Sequence, residues 1–155
     1  MEINAKQAGT ILIAFIFIGS TIGFALNWAT PGEKKEKTPE NLFTRPLSNS
    51  ERRYFINNDQ TVLTLFYIPN DIDSSNMKEM IENFAKDLDK KLIVEEVNVN
   101  TFQSFSFEYN IMSVPTIIIR GKNNQEKPIR IEGTVEYKIL KDDICSTYET
   151  KPASC

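Results

Sequence analysis

The sequence predicts a three-layer α/β domain, with helices on both faces of a mixed central sheet, preceded by one transmembrane helix. Helix and strand patterns alternate in the order αβαβαββα between residues 47 and 148, which is typical of α/β domains. The segment from Thr61 to Tyr67 is apolar on both faces, as in a buried central strand. Residues 8–29 form an uncharged, mostly apolar run. We therefore expect one globular domain and one membrane anchor.

The anchor is predicted at residues 8–29. At ~1.5 Å per residue, a helix of this length crosses a hydrocarbon core of ~30 Å. Residues 1–7 form a short tail before it, and residues 30–46 form a polar linker rich in Lys, Glu and Pro. A cleaved signal peptide is the alternative, with Gly23-Phe24-Ala25 as its cleavage site. The positive region of that signal would rest on Lys6 alone, which favours an uncleaved single-pass anchor.

Two features of the anchor concern its packing and its orientation. Gly19 and Gly23 have the spacing that lets two membrane helices approach closely, although small residues are common in such helices. Lys6 precedes the span and three lysines come after it, a bias that favours a cytoplasmic domain. A short N-terminal tail before an anchor favours export of the domain behind it. We expect the domain on the extracytoplasmic side.

Local patterns define the first elements of the domain, which is predicted over residues 47–148. Ser48 to Glu51 is a capping box that begins a short helix. The strand from Thr61 to Tyr67 comes after it. The next helix carries one apolar stripe at helical spacing, formed by Met77, Met80, Ile81, Phe84, Ala85 and Leu88.

The second half of the domain supplies three more strands and two helices. Leu92 to Val99 is a strand, and Phe102, Phe105 and Tyr109 indicate a short aromatic helix. Thr116 to Arg120 and Ile129 to Glu132 form a predicted hairpin. The last helix is predicted from Val135 to Cys145, before a C-terminal tail at residues 149–155. Its expected buried residues are Val135, Ile139, Leu140 and Ile144.

Composition excludes several classes of function. The net charge of −3 argues against a nucleic-acid binder, which needs a basic face. The chain has no histidine, so it lacks the usual general base and the commonest zinc ligand. Two cysteines are too few for a four-thiolate metal site. We expect no metal and no cofactor.

Three features, taken in order along the chain, point to one family. Ser113-Val114-Pro115-Thr116 stands directly before a predicted strand, Asn98-Val99-Asn100 ends the preceding one, and Gly133 precedes the last helix. In this arrangement the sequence resembles the thioredoxin family from about Leu47 to Ile144. The resemblance implies a cis peptide bond between Val114 and Pro115.

The sequence departs from that family where the family's redox motif stands. Asp71 and Ser74 take the places of the two cysteines at the start of the helix, and Leu65 takes that of the buried acid beneath them. Neither a carboxylate nor a hydroxyl can form a disulfide. We therefore expect a redox-inactive member of the family that is not an enzyme at this site. Asp71 and Asp73 could suggest a calcium loop, but the glycine and glutamate of such a loop are missing, which favours helix capping.

The resemblance also implies a binding groove. In the family, the residue before the cis-proline presents its backbone groups to an extended peptide, a form of β-augmentation. A protein or peptide partner would then bind there. The corresponding residues in this chain are Asn70, Ile72, Val99, Ser113, Val114, Pro115 and Gly133. The plainer interpretation is that Val114-Pro115 only ends a loop.

The two cysteines leave three alternatives open. Cys145 ends the last helix and Cys155 ends the sequence, with Pro152 turning the chain between them. They could form a structural disulfide, remain free thiols, or act as a redox pair. The preferred function is a membrane-tethered thioredoxin-like domain that binds a protein partner, as an accessory subunit of a membrane complex. The alternatives are a thiol-disulfide oxidoreductase or redox sensor acting through these cysteines, and a purely structural subunit assembled through Gly19 and Gly23.

Overall fold

A computed structural model describes residues 40–155, which contain one five-stranded mixed sheet. The predicted strands and helices are all present, in the expected order. An additional short strand precedes them, at the edge of the sheet. The elements in chain order are β1 (Leu42–Phe43), α1 (Asn49–Asn57), β2 (Thr61–Tyr67), α2 (Ile72–Asp87), β3 (Leu92–Asn98), α3 (Gln103–Glu108), β4 (Thr116–Arg120), β5 (Ile129–Glu132) and α4 (Tyr137–Ser146).

The sheet has the strand order β1-β3-β2-β4-β5. β1 and β2 both run parallel to β3, whereas β4 is antiparallel to β2 and β5 is antiparallel to β4. In this register Thr116, at the start of β4, lies between Phe66 of β2 and Glu132 of β5. Tyr67 pairs with Asn98 at the end of β3. One end of the sheet therefore contains the ends of β2, β3 and β5 and the start of β4. We call this end of the sheet, where the strands stop, the site edge.

Helices cover both faces of the sheet, which confirms the three-layer prediction. Apolar residues of α2 and α4 pack with Leu63, Leu65 and Val94 on one face. On the other face, Ile56 of α1 packs with Val62 and Ile93. The aromatic residues around α3 pack beside them, on Phe66, Val97 and Ile118. β2 contributes to both faces because successive side chains of a strand alternate.

The predicted stripe of α2 faces the core, with Met80 half-buried and the other five members buried. The prediction for α4 was wrong at Ile139, which is 50% exposed. The helix begins at Tyr137 and turns Leu140 and Ile144, four residues apart, towards the sheet. Ile139 is one residue out of phase with that pair, so it faces away from the core.

β1 lies inside the segment that the sequence analysis assigned to the linker, residues 30–46. The backbone N–H of Val94 donates to the carbonyl of Asn41 (2.8 Å). The side-chain amide of Asn41 donates to the carbonyls of Leu92 (2.7 Å) and Ala85 (3.0 Å). The end of the predicted linker therefore belongs to the sheet.

The C-terminal tail is also fastened to the domain. Asp59 accepts hydrogen bonds from the backbone N–H groups of Glu149 (3.0 Å) and Thr150 (3.3 Å). Cys145 and Cys155 are joined by a disulfide. The bond contradicts the free-thiol alternative and is compatible with both a structural disulfide and a redox pair.

The predicted anchor at residues 8–29, with Gly19 and Gly23, lies outside the described residues, as do the tail at 1–7 and most of the linker. Between residues 40 and 155, no helix is long and apolar enough to cross a membrane.

Candidate functional site

Helix α2 begins at the site edge, directly after β2. Asn70 turns the chain with a left-handed backbone (φ 67°), a conformation that Asn tolerates better than most residues. Asp71 is the N-cap, and its Oδ2 accepts a hydrogen bond from the backbone N–H of Ser74 (2.8 Å). This hydrogen bond to the charged form lowers the pKa of Asp71. The predicted capping role of Asp71 is therefore confirmed, and the buried hydroxyl of Ser74 lies in the first turn.

The loop before β4 forms the facing part of the site. The peptide bond between Val114 and Pro115 is cis, as the resemblance implied. The carbonyl of Pro115 accepts from the backbone N–H of Gly133 (2.8 Å), which has a φ of 83° that suits glycine. The hydroxyl of Thr116 donates to the carbonyl of Ser113 (2.6 Å). These two bonds hold the loop against the ends of β4 and β5.

The backbone of Val114 has free hydrogen-bonding capacity. Within residues 40–155, neither its N–H nor its carbonyl makes a hydrogen bond, although its side chain is half-buried. An unpaired donor and acceptor on the same residue match the pairing pattern of one more extended strand. Ser113, beside it, is exposed.

Two large apolar side chains on the segments that meet at the site edge face solvent. Ile72, the first residue of α2, is 77% exposed, and Met112 in the loop before β4 is 89% exposed. Ile72 was part of the predicted groove, whereas Met112 was not. A methionine directly before the Ser-Val-Pro segment was the signal that could have found it, because Met adapts to varied partners.

Most of the predicted groove residues lie at the site edge, and Val99 is the one that contributes least. Its side chain packs with the aromatic cluster around Phe66, and its N–H donates to the carbonyl of Tyr67 (3.0 Å).

The bonded cysteines lie elsewhere. The hydroxyl of Thr147, two residues after Cys145, is 2.5 Å from that of Thr61 at the start of β2, the opposite edge of the sheet.

A buried carboxylate that sequence reasoning missed lies on the α2 face. Leu65 occupies the position of the family's buried acid and is buried, as expected, but its neighbour across the ladder is Glu96. Glu96 is 1% exposed, and its Oε2 accepts from Nζ of Lys78 on α2 (2.7 Å). Its Oε1 is buried without a hydrogen-bond partner among the described residues.

Glu96 and Lys78 shift each other's protonation. Burial raises the pKa of Glu96, and the hydrogen bond from Lys78 offsets part of that effect. Desolvation acts to lower the pKa of Lys78, but the hydrogen bond and charge of Glu96 outweigh it, so that pKa is raised. The pair is therefore held as a salt bridge beneath α2. Among residues 40–155, no group of three or more Cys, Asp or Glu side chains is placed to hold a metal ion.

Comparison with known proteins decides the family. The Thioredoxin family model matches residues 44–146, which is most of the described chain. The chain belongs to the thioredoxin family. Solved thioredoxins share its fold at low sequence identity. A variant thioredoxin from Halobacterium salinarum is 22% identical with a TM-score of 0.58, covering 74% of this chain and 97% of that one.

Two further thioredoxins show the same likeness. Chloroplastic thioredoxin z is 19% identical with a TM-score of 0.56, covering 68% of this chain and 94% of that one. Mitochondrial thioredoxin 3 from Saccharomyces cerevisiae is 17% identical with a TM-score of 0.51, covering 66% and 92%. No curated protein matches the sequence. This thioredoxin-family chain has Asp71 and Ser74, and no thiol, at the start of α2.

Proposed function

We propose that this protein is a membrane-tethered member of the thioredoxin family that lacks a dithiol site and binds a protein or peptide partner at the cis-proline groove. It would serve as an accessory subunit of a membrane complex. The observation that carries the proposal is the unpaired backbone of Val114 in the loop before β4, together with the exposed side chain of Ile72 at the start of α2, since both segments lie at the site edge. A partner strand would pair with that backbone and cover that side chain.

The degenerate motif supports a binding role over dithiol exchange. Exchange needs a thiolate that attacks a disulfide sulfur and a second thiol that resolves the mixed disulfide. Asp71 is ionised and already engaged as a helix cap, and Ser74 is buried. Neither position supplies a thiol for dithiol exchange, although the thioredoxin fold around both positions is retained.

The disulfide supports an extracytoplasmic placement. Disulfides persist in oxidising compartments and are rare in the cytosol. The Cys145–Cys155 bond is consistent with export of the domain behind the predicted anchor.

A redox assay tests the first half of the proposal. We expect the full-length chain to give no catalysis of insulin reduction by dithiothreitol, because the positions of Asp71 and Ser74 hold no thiol. Turnover at thioredoxin-like rates would contradict the proposal. Turnover that disappears in a Cys145→Ser variant would support the alternative function, in which the Cys145–Cys155 disulfide exchanges with partner thiols.

A binding assay tests the second half. Ile72→Ala should weaken binding of an extended apolar peptide by about fivefold or more, since a central apolar contact is worth ~1 kcal/mol or more. The control is Tyr54→Ala, which removes an exposed aromatic side chain from α1. Equal weakening by both variants would show that the peptide binds apolar surface without using the groove.

A further inference from the structure

The site edge has an uneven distribution of charge. Four segments meet there: residues 70–75 after β2, 98–101 after β3, 110–116 before β4 and 132–136 after β5. These segments contain no lysine or arginine. Their four acidic residues are Asp71, Asp73, Glu132 and Glu136. The whole chain has nearly balanced charges, 18 basic and 21 acidic, so this edge is more acidic than the rest.

The acidic residues differ in how much of their charge remains available. Asp71 caps α2, and Glu132 forms a salt bridge with Arg130 (2.8 Å). Arg130 also donates to the carbonyls of Tyr109 and Asn110 (both 2.8 Å), so its guanidinium is already engaged by protein groups. Asp73 is exposed and forms no hydrogen bond or ion pair within the described residues. It stands next to Ile72, one residue into α2.

The acidic edge coincides with the two features that point to a peptide. The free N–H and carbonyl of Val114 offer backbone pairing, and Ile72 and Met112 offer exposed apolar contact. A strand paired with Val114 would place alternate side chains towards the sheet and towards solvent. Lysine or arginine side chains of such a strand could reach the carboxylates while an apolar side chain covers Ile72.

We propose, building on the binding role above, that the groove selects an extended segment of a protein partner in which an apolar residue is flanked by lysine or arginine. Backbone pairing with Val114 and contact with Ile72 and Met112 supply the common part of the affinity. The carboxylates at the site edge supply the preference, because electrostatic complementarity acts mainly on specificity and association rate. The negative charge of the same carboxylates disfavours segments with acidic flanks.

The test uses the full-length chain in a non-ionic detergent and three fluorescent peptides. Each peptide has one central leucine among threonine and serine residues, and the flanks are lysine, glutamine or glutamate. Fluorescence anisotropy gives each Kd at low salt and at physiological salt. We expect the lysine-flanked peptide to bind about three- to tenfold tighter than the glutamine-flanked one at ~0.01 M salt, and the gap to narrow at ~0.15 M, where the Debye length falls to ~8 Å.

Two variants locate the effect. Asp73→Asn removes the site-edge carboxylate that stands next to Ile72 and should reduce the lysine advantage about two- to threefold. Glu126→Gln removes one exposed carboxylate from the loop between β4 and β5, at the opposite edge, and should leave the advantage unchanged. Because both variants change the net charge equally, the pair separates a local preference from general attraction of a cation to an acidic chain.

Each outcome decides between the claims. Equal affinity for the three peptides, with binding still weakened by Ile72→Ala, overturns this inference and leaves the proposed function standing. Binding by none of the peptides overturns both. A lysine advantage that Asp73→Asn does not reduce, or that Glu126→Gln reduces as much, shows that the preference does not reside at the site edge and also overturns the inference.

Discussion

Replacing Arg52 by methionine should remove about 3–5 kcal/mol from the free energy of unfolding, because the buried carboxylate of Glu95 loses its cation. The side chains of this pair are 5% and 0% exposed. Oε1 of Glu95 accepts from Nη2 of Arg52 (2.5 Å), and Oε2 accepts from its Nε (3.2 Å). The carboxylate of Glu95 accepts two more hydrogen bonds, from the hydroxyl of Thr64 to Oε2 (2.8 Å) and from the backbone N–H of Leu47 to Oε1 (2.6 Å). Arg52→Met leaves only these last two donors.

The size of the loss can be measured as a shift in urea midpoint. A small domain has about 5–15 kcal/mol of stability and a urea slope of about 1–3 kcal/mol/M. A loss of ~4 kcal/mol at a slope of ~2 kcal/mol/M moves the midpoint by about 2 M. Far-UV circular dichroism of the full-length chain, with and without the substitution, gives that shift directly.

A matched variant and a double variant test the reasoning. Arg45→Met breaks the exposed ion pair with Glu51, whose side chains are 51% and 37% exposed, and should move the urea midpoint much less. Arg52→Met combined with Glu95→Gln removes both charges and should be more stable than Arg52→Met alone. If Arg52→Met costs as little as Arg45→Met, or if the double variant regains nothing, the unpaired buried charge is not the cause.

Three further predictions concern the core, the cap and the disulfide. Phe84→Ala should lower the free energy of unfolding by about 3–5 kcal/mol, because Phe84 is buried and stacks on Tyr137 (centroids 4.4 Å apart). Ile139→Ala, at an exposed position, should change the urea midpoint little. Similar midpoint shifts for the two variants would contradict the helix registers. The folded pKa of Asp71 lies below its unfolded value, so the stability it adds is present at neutral pH and is lost as pH falls through that lowered pKa. Asp71→Ala should therefore lower the urea midpoint at neutral pH, and its gap to the parent chain should narrow in acid. Asp71→Asn keeps the neutral part of the cap, and a gap that is constant with pH for Asp71→Ala would contradict this reasoning. Cys155→Ser opens the disulfide and should cost ~2–3 kcal/mol, so an unchanged midpoint would show that the bond does not restrict the unfolded chain.

The elements that sequence reasoning predicted are those with a local physical signal. The capping box at Ser48 has both of its reciprocal hydrogen bonds, and the α2 stripe has the helical period. β1 gave no such signal, because two residues are too few to show a period. It is a strand because Asn41 bonds to β3, a contact between residues distant in the sequence. Ile139 is a second example of a prediction that needs contacts distant in the sequence. The sheet buries Leu140 and Ile144, and that contact fixes which side of α4 faces the core.

The site shows the limit in a different form. Its backbone features could be predicted from the family resemblance, which placed Val114, Pro115 and Gly133 together. The inward packing of Val99 depends on how its loop folds against the aromatic residues of α3, and no short-range pattern encodes that. The free Asp73 and the engaged Asp71 are two residues apart in sequence, and only the cap geometry separates their roles.

One long-range feature could nevertheless have been derived from the sequence. Glu95 and Glu96 are adjacent in the middle of the apolar strand β3, and neighbouring residues of a strand face opposite sides of the sheet. Both sides are covered by helices, so each carboxylate must be buried and must find a cation on the helix above it. Arg52 of α1 and Lys78 of α2 are those cations. The acid missing at Leu65 is therefore replaced in the next strand by a carboxylate that is already paired with Lys78, which favours a structural role beneath α2 over proton transfer.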